Sequence, residues 1–298
     1  MGRNRTSYLV RCYRFCRLLV HVAYAVILVA FFFPQFNKQQ RALVVKHWSV
    51  TLLRILNVRL DVKGKQPAAI PANTVVAANH VSWLDIFLLY TQYYTRFVAK
   101  AEVRTWPVIG WLNKRVGTLF IERIRRRDVG RMNREISQAL SGGDCVTIFP
   151  EGTTSDGTYI RTFHPPLLEP AAMSQSTVLP VALRFRDPDG EINTEVAYAG
   201  ETTLMESILG VLGQQDIRAE LIFTEPIPAL GKSRRDLTQA AETAIVACLR
   251  LSGLRRKPEI TGGLPGTLQT DSRPTNSRCP APEGYPEAKD PALTNARK

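Results

Sequence analysis

Residue types that build disulfide frameworks and metal sites are scarce in this sequence. Its 298 residues include five cysteines and four histidines, which are scattered along the chain. The sequence contains neither a C-x-x-C pair nor an H-E-x-x-H pattern. This scarcity argues against a disulfide framework and against a zinc site. We therefore expect a reducing compartment and neither a protein-bound metal ion nor a cofactor.

Acidic residues are missing from the first 60 positions, which contain ten Lys or Arg and no Asp or Glu. This segment supplies most of the net charge of +13. Basic residues that alternate with apolar and aromatic ones are typical of proteins that bind nucleic acids or anionic membranes. The high apolar content of the segment favours an anionic membrane surface as the partner and argues against nucleic acid.

An apolar run from Leu18 to Phe33 follows five arginines and is interrupted only by His21. With about 16 residues it is slightly shorter than the roughly 20 residues that span a bilayer as a helix. A signal peptide is the competing interpretation, but the run lacks a small-residue cleavage site. Pro34 is expected to end this first helix.

A second helical segment, from about Gln40 to Leu56, has an amphipathic pattern that suits a membrane interface or packing against the first helix. We expect the two segments to form a helical hairpin in the cytoplasmic leaflet of the inner membrane, because an arginine-rich N terminus stays in the cytoplasm. An ordinary core helix is the alternative for the second segment. A single membrane span would instead place the rest of the chain on the other side.

From Asp61 onward, apolar runs alternate with helical patterns, which predicts an α/β domain with a mixed, mostly parallel sheet flanked by helices. We expect membrane-associated helices in 1–60, the α/β domain in 61–256 and a disordered tail in 257–298. Strands are predicted at 74–78, 97–99, 117–121, 145–149, 178–185, 195–198 and 217–223. Helices are predicted at 85–93, 106–113, 129–140 and 235–251.

The stretch from Asn79 to Asp85 joins a predicted buried strand to a predicted helix. It contains a histidine and a carboxylate, which are candidates for a base and its orienting partner. Two positions five apart on one helix diverge by roughly 140°, so His80 and Asp85 face each other only if His80 precedes the helix. Ser82 as N-cap, with Asp85 three residues later, gives this arrangement. The same spacing also fits an Asp85 that only caps its own helix.

Three further stretches follow predicted strands or form one. The strand from Gly117 ends at Arg123, and an arginine in that position suits a phosphate or carboxylate ligand. The polar loop Phe149 to Ser155 lies at the carboxyl end of a strand, where open α/β sheets bind ligands. The apolar strand Val178 to Leu183 contains Pro180, which predicts an edge strand or a bulge.

These four stretches, in this order, resemble the four motif blocks of the glycerolipid acyltransferase family. The best-known members of that family are the 1-acyl-glycerol-3-phosphate acyltransferases. The resemblance covers about residues 75–185, and an N-terminal membrane anchor is also typical of the family. The matching residues are His80 and Asp85 in the first block, Gly117, Phe120, Ile121 and Arg123 in the second, Phe149 to Thr153 in the third and Val178 to Leu183 in the fourth.

The resemblance implies transfer of a fatty acyl group from acyl-CoA or acyl-carrier protein to the free hydroxyl of a lysolipid, with 1-acyl-sn-glycerol-3-phosphate as the leading acceptor. It implies that His80 is the general base and that Asp85 orients it. It also implies that Arg123 anchors an anionic head group. The other implied acceptor-site residues are Gly117, Glu151, Gly152 and Thr153.

One position departs from the pattern of the family members that acylate lysophosphatidic acid. They often have arginine after Glu-Gly-Thr, where this sequence has Thr154. The loop is also similar to that of relatives that acylate lyso-ornithine lipids. Two other classes stay open. A membrane-bound thioesterase or lipase would use His80 with water as acceptor. A non-catalytic lipid-binding protein is the other, although the presence of both His80 and Asp85 argues against it.

Overall fold

The computed structural model of the protein describes residues 5–67, 72–121 and 126–250. Arg123 and the predicted tail at 257–298 lie outside the described residues.

The N-terminal region folds into two helices joined by a short turn. Helix α1 spans Tyr8–Ile27, continues through one π turn and ends in a 3-10 turn that contains Pro34. Helix α2 spans Lys38–Ile55. The turn is fixed by a capping box, in which Asn37 and Gln40 each accept a backbone N–H of the other. The predicted stop at Pro34 and the two-helix arrangement are therefore confirmed.

One face of α1 packs inward and the other is exposed. The inward face contains residues spaced three or four apart, which lie on one side of a helix. They are Leu18, His21, Ala25, Val29 and Phe33. The helical stretch Tyr8–Gln35 is long and apolar enough to span a membrane, and it is the one such stretch among the described residues.

Helices α1 and α2 are joined by a reciprocal contact between His21 and Trp48. The two rings stack with centroids 4.5 Å apart. His21 Nε2 lies 3.0 Å from the Trp48 carbonyl oxygen, and Trp48 Nε1 donates to the His21 carbonyl at 3.2 Å. Trp48 also contacts Phe87, with ring centroids 5.4 Å apart. The hairpin is thus packed against the helix that contains Asp85.

Within the described parts of the chain, eight strands form one sheet in the order β1-β7-β6-β2-β5-β3-β4, with β8 beside β6. The five neighbours from β6 to β4 are parallel, whereas β7 is antiparallel to β6 and β1 is parallel to β7. The predicted mixed, mostly parallel sheet is confirmed. The strands are β1 Val58–Gly64, β2 Thr74–Ala78, β3 Arg96–Lys100, β4 Leu119–Ile121, β5 Cys145–Ile148, β6 Thr177–Arg186, β7 Ile217–Phe223 and β8 Ile227–Pro228.

Helices cover both faces of the sheet. The remaining helices are α3 Leu84–Tyr90, α4 Ile109–Arg115, α5 Arg126–Ser141, α6 Glu169–Met173, α7 Leu204–Leu212 and α8 Arg234–Arg250. Side chains of α1, α2, α3 and α7 form one apolar cluster, and those of α5, α6 and α8 form a second. Strand β2 is buried throughout, because Val76 and Ala78 contribute to the first cluster and Val75 and Ala77 to the second.

Some sequence predictions were wrong. The segment 195–198 is not a strand, since a 3-10 turn occupies Thr194–Val196. Strand β1 was not predicted, because its exposed positions include charged residues and its apolar run is short. The predicted boundary between 60 and 61 falls inside this strand, and the division into domains stays a prediction. Helix α7 was also missed.

The prediction that Pro180 marks an edge strand is wrong, because β6 lies inside the sheet between β2 and β7. The alternative, a bulge, is not found in the pairing with β2, whose register is unbroken from Thr177 to Val181. On one side, β6 pairs with β8 through Thr177 and Val178 and with β7 from Val181 onward. Pro180 lies where the neighbour changes, so its missing N–H interrupts neither of these two pairings.

Candidate active site

The loops after β2 and β5 lie side by side because the two strands are adjacent and parallel. Strand β2 leads through Asn79 and His80 into α3, and β5 leads through Phe149 into Glu151. Carboxyl ends of neighbouring parallel strands meet at one edge of the sheet, where ligand sites of open α/β sheets are found. The topology therefore brings the first and third predicted motifs together.

His80 and Asp85 are in direct contact. His80 Nδ1 lies 2.8 Å from Asp85 Oδ2, and the same oxygen accepts the backbone N–H of Val81 at 2.7 Å and of Ser82 at 2.9 Å. The Asp85 side chain is fully buried, and that of His80 is 19% exposed. His80 precedes α3, as the spacing predicted. Helix α3 begins at Leu84, one residue later than a Ser82 N-cap implies.

The His80 ring is held flat against an aromatic neighbour. It stacks on Phe149 with centroids 3.8 Å apart and an interplanar angle of 11°. Phe149 in turn stacks near Phe97, 6.0 Å between centroids. Because a carboxylate accepts from Nδ1–H, the lone pair of the neutral imidazole lies on Nε2. None of the described residues forms a hydrogen bond with Nε2, so it is available to a hydroxyl group.

Glu151 connects the histidine loop to a second loop. Its Oε1 accepts the backbone N–H of His80 at 2.7 Å, and its Oε2 accepts that of Arg161 at 2.8 Å. The residue is 2% exposed. Burial is the largest influence and raises the pKa of Glu151 to about 8. Each of the two Glu151 oxygens thus accepts a backbone N–H group, and the sequence did not reveal these two contacts.

Further backbone contacts hold the loop after Glu151 beside His80. The N–H of Ser155 donates to the His80 carbonyl at 2.9 Å, and the N–H of Tyr198 donates to the Val81 carbonyl at 2.9 Å. The Thr154 hydroxyl donates to the Tyr198 carbonyl. Gly152 has a φ of +71°, a left-handed conformation in which glycine is favoured.

A protein-family model described as Acyltransferase matches residues 59–184 of this chain. A lyso-ornithine lipid O-acyltransferase of Pseudomonas aeruginosa is 35% identical over 205 residues, which are 69% of this chain and 78% of the relative. A 1-acyl-sn-glycerol-3-phosphate acyltransferase of Neisseria meningitidis is 35% identical over 207 residues, 67% of this chain and 77% of the relative. The chain belongs to this acyltransferase family.

The fold of this acyltransferase is also found in a solved structure. The crystal structure of the 1-acyl-sn-glycerophosphate acyltransferase of Thermotoga maritima matches with a TM-score of 0.63. The match covers 84% of this chain and 97% of that one, at 20% identity. The two proteins therefore share a fold.

One predicted acceptor-site residue, Gly117, lies apart from His80. Gly117 precedes β4, so it lies at the amino end of that strand, whereas His80 follows the carboxyl end of β2. Since β2 and β4 belong to the parallel part of the sheet, the two residues are at opposite edges. The Gly117 carbonyl accepts from Arg96 Nε at 2.8 Å. Thr153 is exposed in the loop after Glu151, and its role stays a prediction.

The sequence prediction missed Asn79, which fastens the histidine loop to β6. Its amide donates to the Leu183 carbonyl at 2.9 Å, and its Oδ1 accepts the Leu183 N–H at 2.7 Å. Both residues are buried. The only sequence signal was an amide side chain directly before His80, since the partner is 104 positions away.

Proposed function

We propose that this acyltransferase moves a fatty acyl group from a thioester donor, acyl-CoA or acyl-carrier protein, to the free hydroxyl of a lysolipid. The proposal rests on the His80–Asp85 hydrogen bond, which leaves Nε2 of the histidine available. Both relatives named above carry out lysolipid acylation according to their names, which supports the same reaction class.

In the proposed reaction, His80 Nε2 takes the proton of the lysolipid hydroxyl as its oxygen attacks the thioester carbonyl carbon. The tetrahedral intermediate collapses, the carbon–sulfur bond breaks, and the thiolate leaves with the proton from the imidazolium. Asp85 stabilises that imidazolium and keeps the ring in the required tautomer. The lipid oxygen is itself the nucleophile, so the reaction needs no serine of the enzyme.

The loops around His80 keep the ring in position for this step. Phe149 covers one face of the imidazole, Glu151 holds the His80 backbone, and Asn79 fastens the preceding residue to β6. A base that is already oriented avoids the entropy loss of being ordered during the reaction. These residues are assigned positioning roles.

The proposed acceptor is 1-acyl-sn-glycerol-3-phosphate, with Arg123 as the phosphate anchor that the family resemblance implies. Lyso-ornithine lipid is the second candidate. It is favoured by Thr154, which stands where arginine is frequent in enzymes for the phosphate substrate, and by the relative from Pseudomonas aeruginosa.

The hairpin is proposed to lie within one leaflet of the membrane and to bring this acyltransferase to its lipid acceptor. The inner side of α1 packs in the protein core, while its outer side exposes apolar residues such as Leu9, Val20 and Phe31. A helix with one packed side and one exposed apolar side suits an interfacial position better than a full span. The arginines near the N terminus support an anionic, cytoplasmic surface.

The experiment is an acyl-transfer assay with purified protein. Labelled acyl-CoA and acyl-carrier protein are offered as donors, and lysophosphatidic acid, lyso-ornithine lipid and a neutral lysolipid are offered in parallel as acceptors. We expect transfer to lysophosphatidic acid that is lost in His80→Ala. Transfer to lyso-ornithine lipid alone would select the second candidate, and absence of transfer to all three acceptors would contradict the proposal.

A further inference from the structure

A cleft of about 600 Å³ lies between the turn of the hairpin and α4. Its lining residues come from the hairpin and from α4 of the α/β domain. Cationic and apolar residues line it together. The hairpin contributes Val29, Phe33 and Arg41, and α4 contributes Trp111, Lys114 and Arg115. His80 lines neither this cleft nor its neighbour, so the cleft is separate from the candidate active site.

The three cations that line this cleft, Arg41, Lys114 and Arg115, form no ion pair with the described residues. A neighbouring cleft of about 430 Å³ also contains Arg41 and Arg115, and among the described residues Asp144 is the one carboxylate that lines either cleft. Asp144 is already paired with Lys38 at 2.9 Å and with Arg96 at 3.2 Å. Three uncompensated cations around a concave surface create a positive potential that favours an anion carrying more than one charge.

The two guanidinium groups are oriented by the protein. Arg41 Nε donates to the Phe33 carbonyl at 3.2 Å, and the guanidinium lies over the Phe33 ring at 5.0 Å. The Arg115 guanidinium lies over the Trp111 ring at 5.6 Å. Each keeps further N–H donors, and guanidinium groups held in this way match the oxygens of a phosphate group. Because the protein already holds the two guanidinium groups in place, less side-chain entropy is lost when they bind a ligand.

We infer that this cleft binds the phosphate head group of an anionic membrane phospholipid at a site apart from the His80–Asp85 pair. The choice of a lipid follows from the apolar residues that line the cleft beside the cations. Val29 and Phe33 belong to the same turns of the hairpin as Phe31 and Phe32, which are 67% and 51% exposed. Acyl chains can lie along these residues while the phosphate contacts the cations. A basic cleft beside a membrane-associated helix is suited to such lipid head groups.

The test uses the full chain in micelles of a neutral detergent, titrated with phosphatidylglycerol or phosphatidylcholine in the absence of donor and acceptor. The variant Lys114→Gln/Arg115→Gln is compared with Lys232→Gln/Arg235→Gln, which removes the same charge from exposed positions at the start of α8. We expect the first variant to bind phosphatidylglycerol at least about tenfold more weakly. The second variant should bind like the wild type, and phosphatidylcholine should bind weakly to all three proteins.

A charge-preserving variant, Lys114→Arg/Arg115→Lys, loses the stacked guanidinium but keeps both charges, so it should bind phosphatidylglycerol more tightly than Lys114→Gln/Arg115→Gln. Equal loss in both glutamine variants would overturn the inference in favour of general charge attraction, and no loss in either would show that Lys114 and Arg115 do not hold the head group. Competition of CoA with phosphatidylglycerol would overturn it in favour of a donor site. The titration involves no acyl transfer, so its outcome is independent of the proposed reaction.

Discussion

Asp85 holds the His80 ring and the His80 loop with the same carboxylate oxygen. Oδ2 accepts from the imidazole at 2.8 Å and also from the next two backbone N–H groups of the loop. Helix capping and orientation of a base had been alternatives for this carboxylate. In the structure the two contacts coexist, so a substitution must separate them before either role is assigned by experiment.

Asp85→Asn separates the two roles. The amide oxygen still accepts the backbone N–H groups, but the negative charge that stabilises an imidazolium is removed. The other oxygen, Oδ1, is buried with no hydrogen-bond partner among the described residues, so the new amide nitrogen replaces an already unpaired atom. We expect a kcat on the order of 10³-fold lower and a thermal midpoint close to the wild type.

Activity assays and thermal unfolding of the same preparation check this prediction. Asp85→Asn with full activity would show that the carboxylate only caps α3. A large loss of stability together with activity would leave the capping role dominant and would contradict the assigned orienting role.

Glu151 should make stability depend on pH. Its pKa rises from the ordinary 4.5 to about 8 because it is buried, so the folded protein favours the protonated form. The stabilising contribution of protonated Glu151 to the free energy of unfolding is fully present below pH 4.5 and is lost as the pH rises through about 8. Glu151→Gln keeps an acceptor for His80 N–H and should flatten this dependence. Denaturant unfolding from pH 5 to 9 measures it, and an unchanged slope in the variant would contradict the prediction.

Asn79 should contribute strongly to the stability of the histidine loop. Asn79→Ala removes two buried hydrogen bonds and leaves the N–H and C=O of Leu183 without these partners. We expect a loss of about 2–4 kcal/mol in the free energy of unfolding. Thr153→Ala, in an exposed position, serves as the control and should be close to neutral. If the two variants unfold at the same denaturant concentration, the predicted role of Asn79 is wrong.

The His21–Trp48 pair should determine how firmly the hairpin is closed. Trp48→Phe keeps an aromatic ring near Phe87 but loses the N–H that donates to the His21 carbonyl. We expect local opening of α2 to become easier by about 1–3 kcal/mol, measured by amide hydrogen exchange in detergent. His47→Ala, on the exposed side of α2, is the matched control. Equal exchange in both variants would argue against the pair as a fastening contact.

The sequence predicted those features that depend on local geometry. Five positions of separation and the turn of a helix predicted that His80 precedes α3 if it faces Asp85, and the family resemblance implied that the two residues form a pair. The alternation of apolar runs with helical patterns predicted the mixed sheet, because buried parallel strands such as β2 are continuously apolar.

Features that depend on distant partners could not be predicted in this way. The backbone contacts of Glu151 and Asn79 join segments 71 and 104 positions apart. Gly117 was assigned to the acceptor site from its motif, but strand direction places it at the amino end of β4. Pro180 was assigned to an edge or a bulge, because the change of neighbour from β8 to β7 depends on the strand order, which the sequence does not show.

The most direct test of the proposed mechanism is the rate of thiol release from an acyl donor, measured with and without lysolipid, for the wild type and for His80→Ala. Direct transfer with His80 as base predicts release by the wild type only when lysolipid is present, and almost none from the variant under either condition. Release by the wild type without lysolipid would instead indicate a thioesterase. Equal lysolipid-dependent release by the two proteins would contradict the assignment of His80 as the catalytic base.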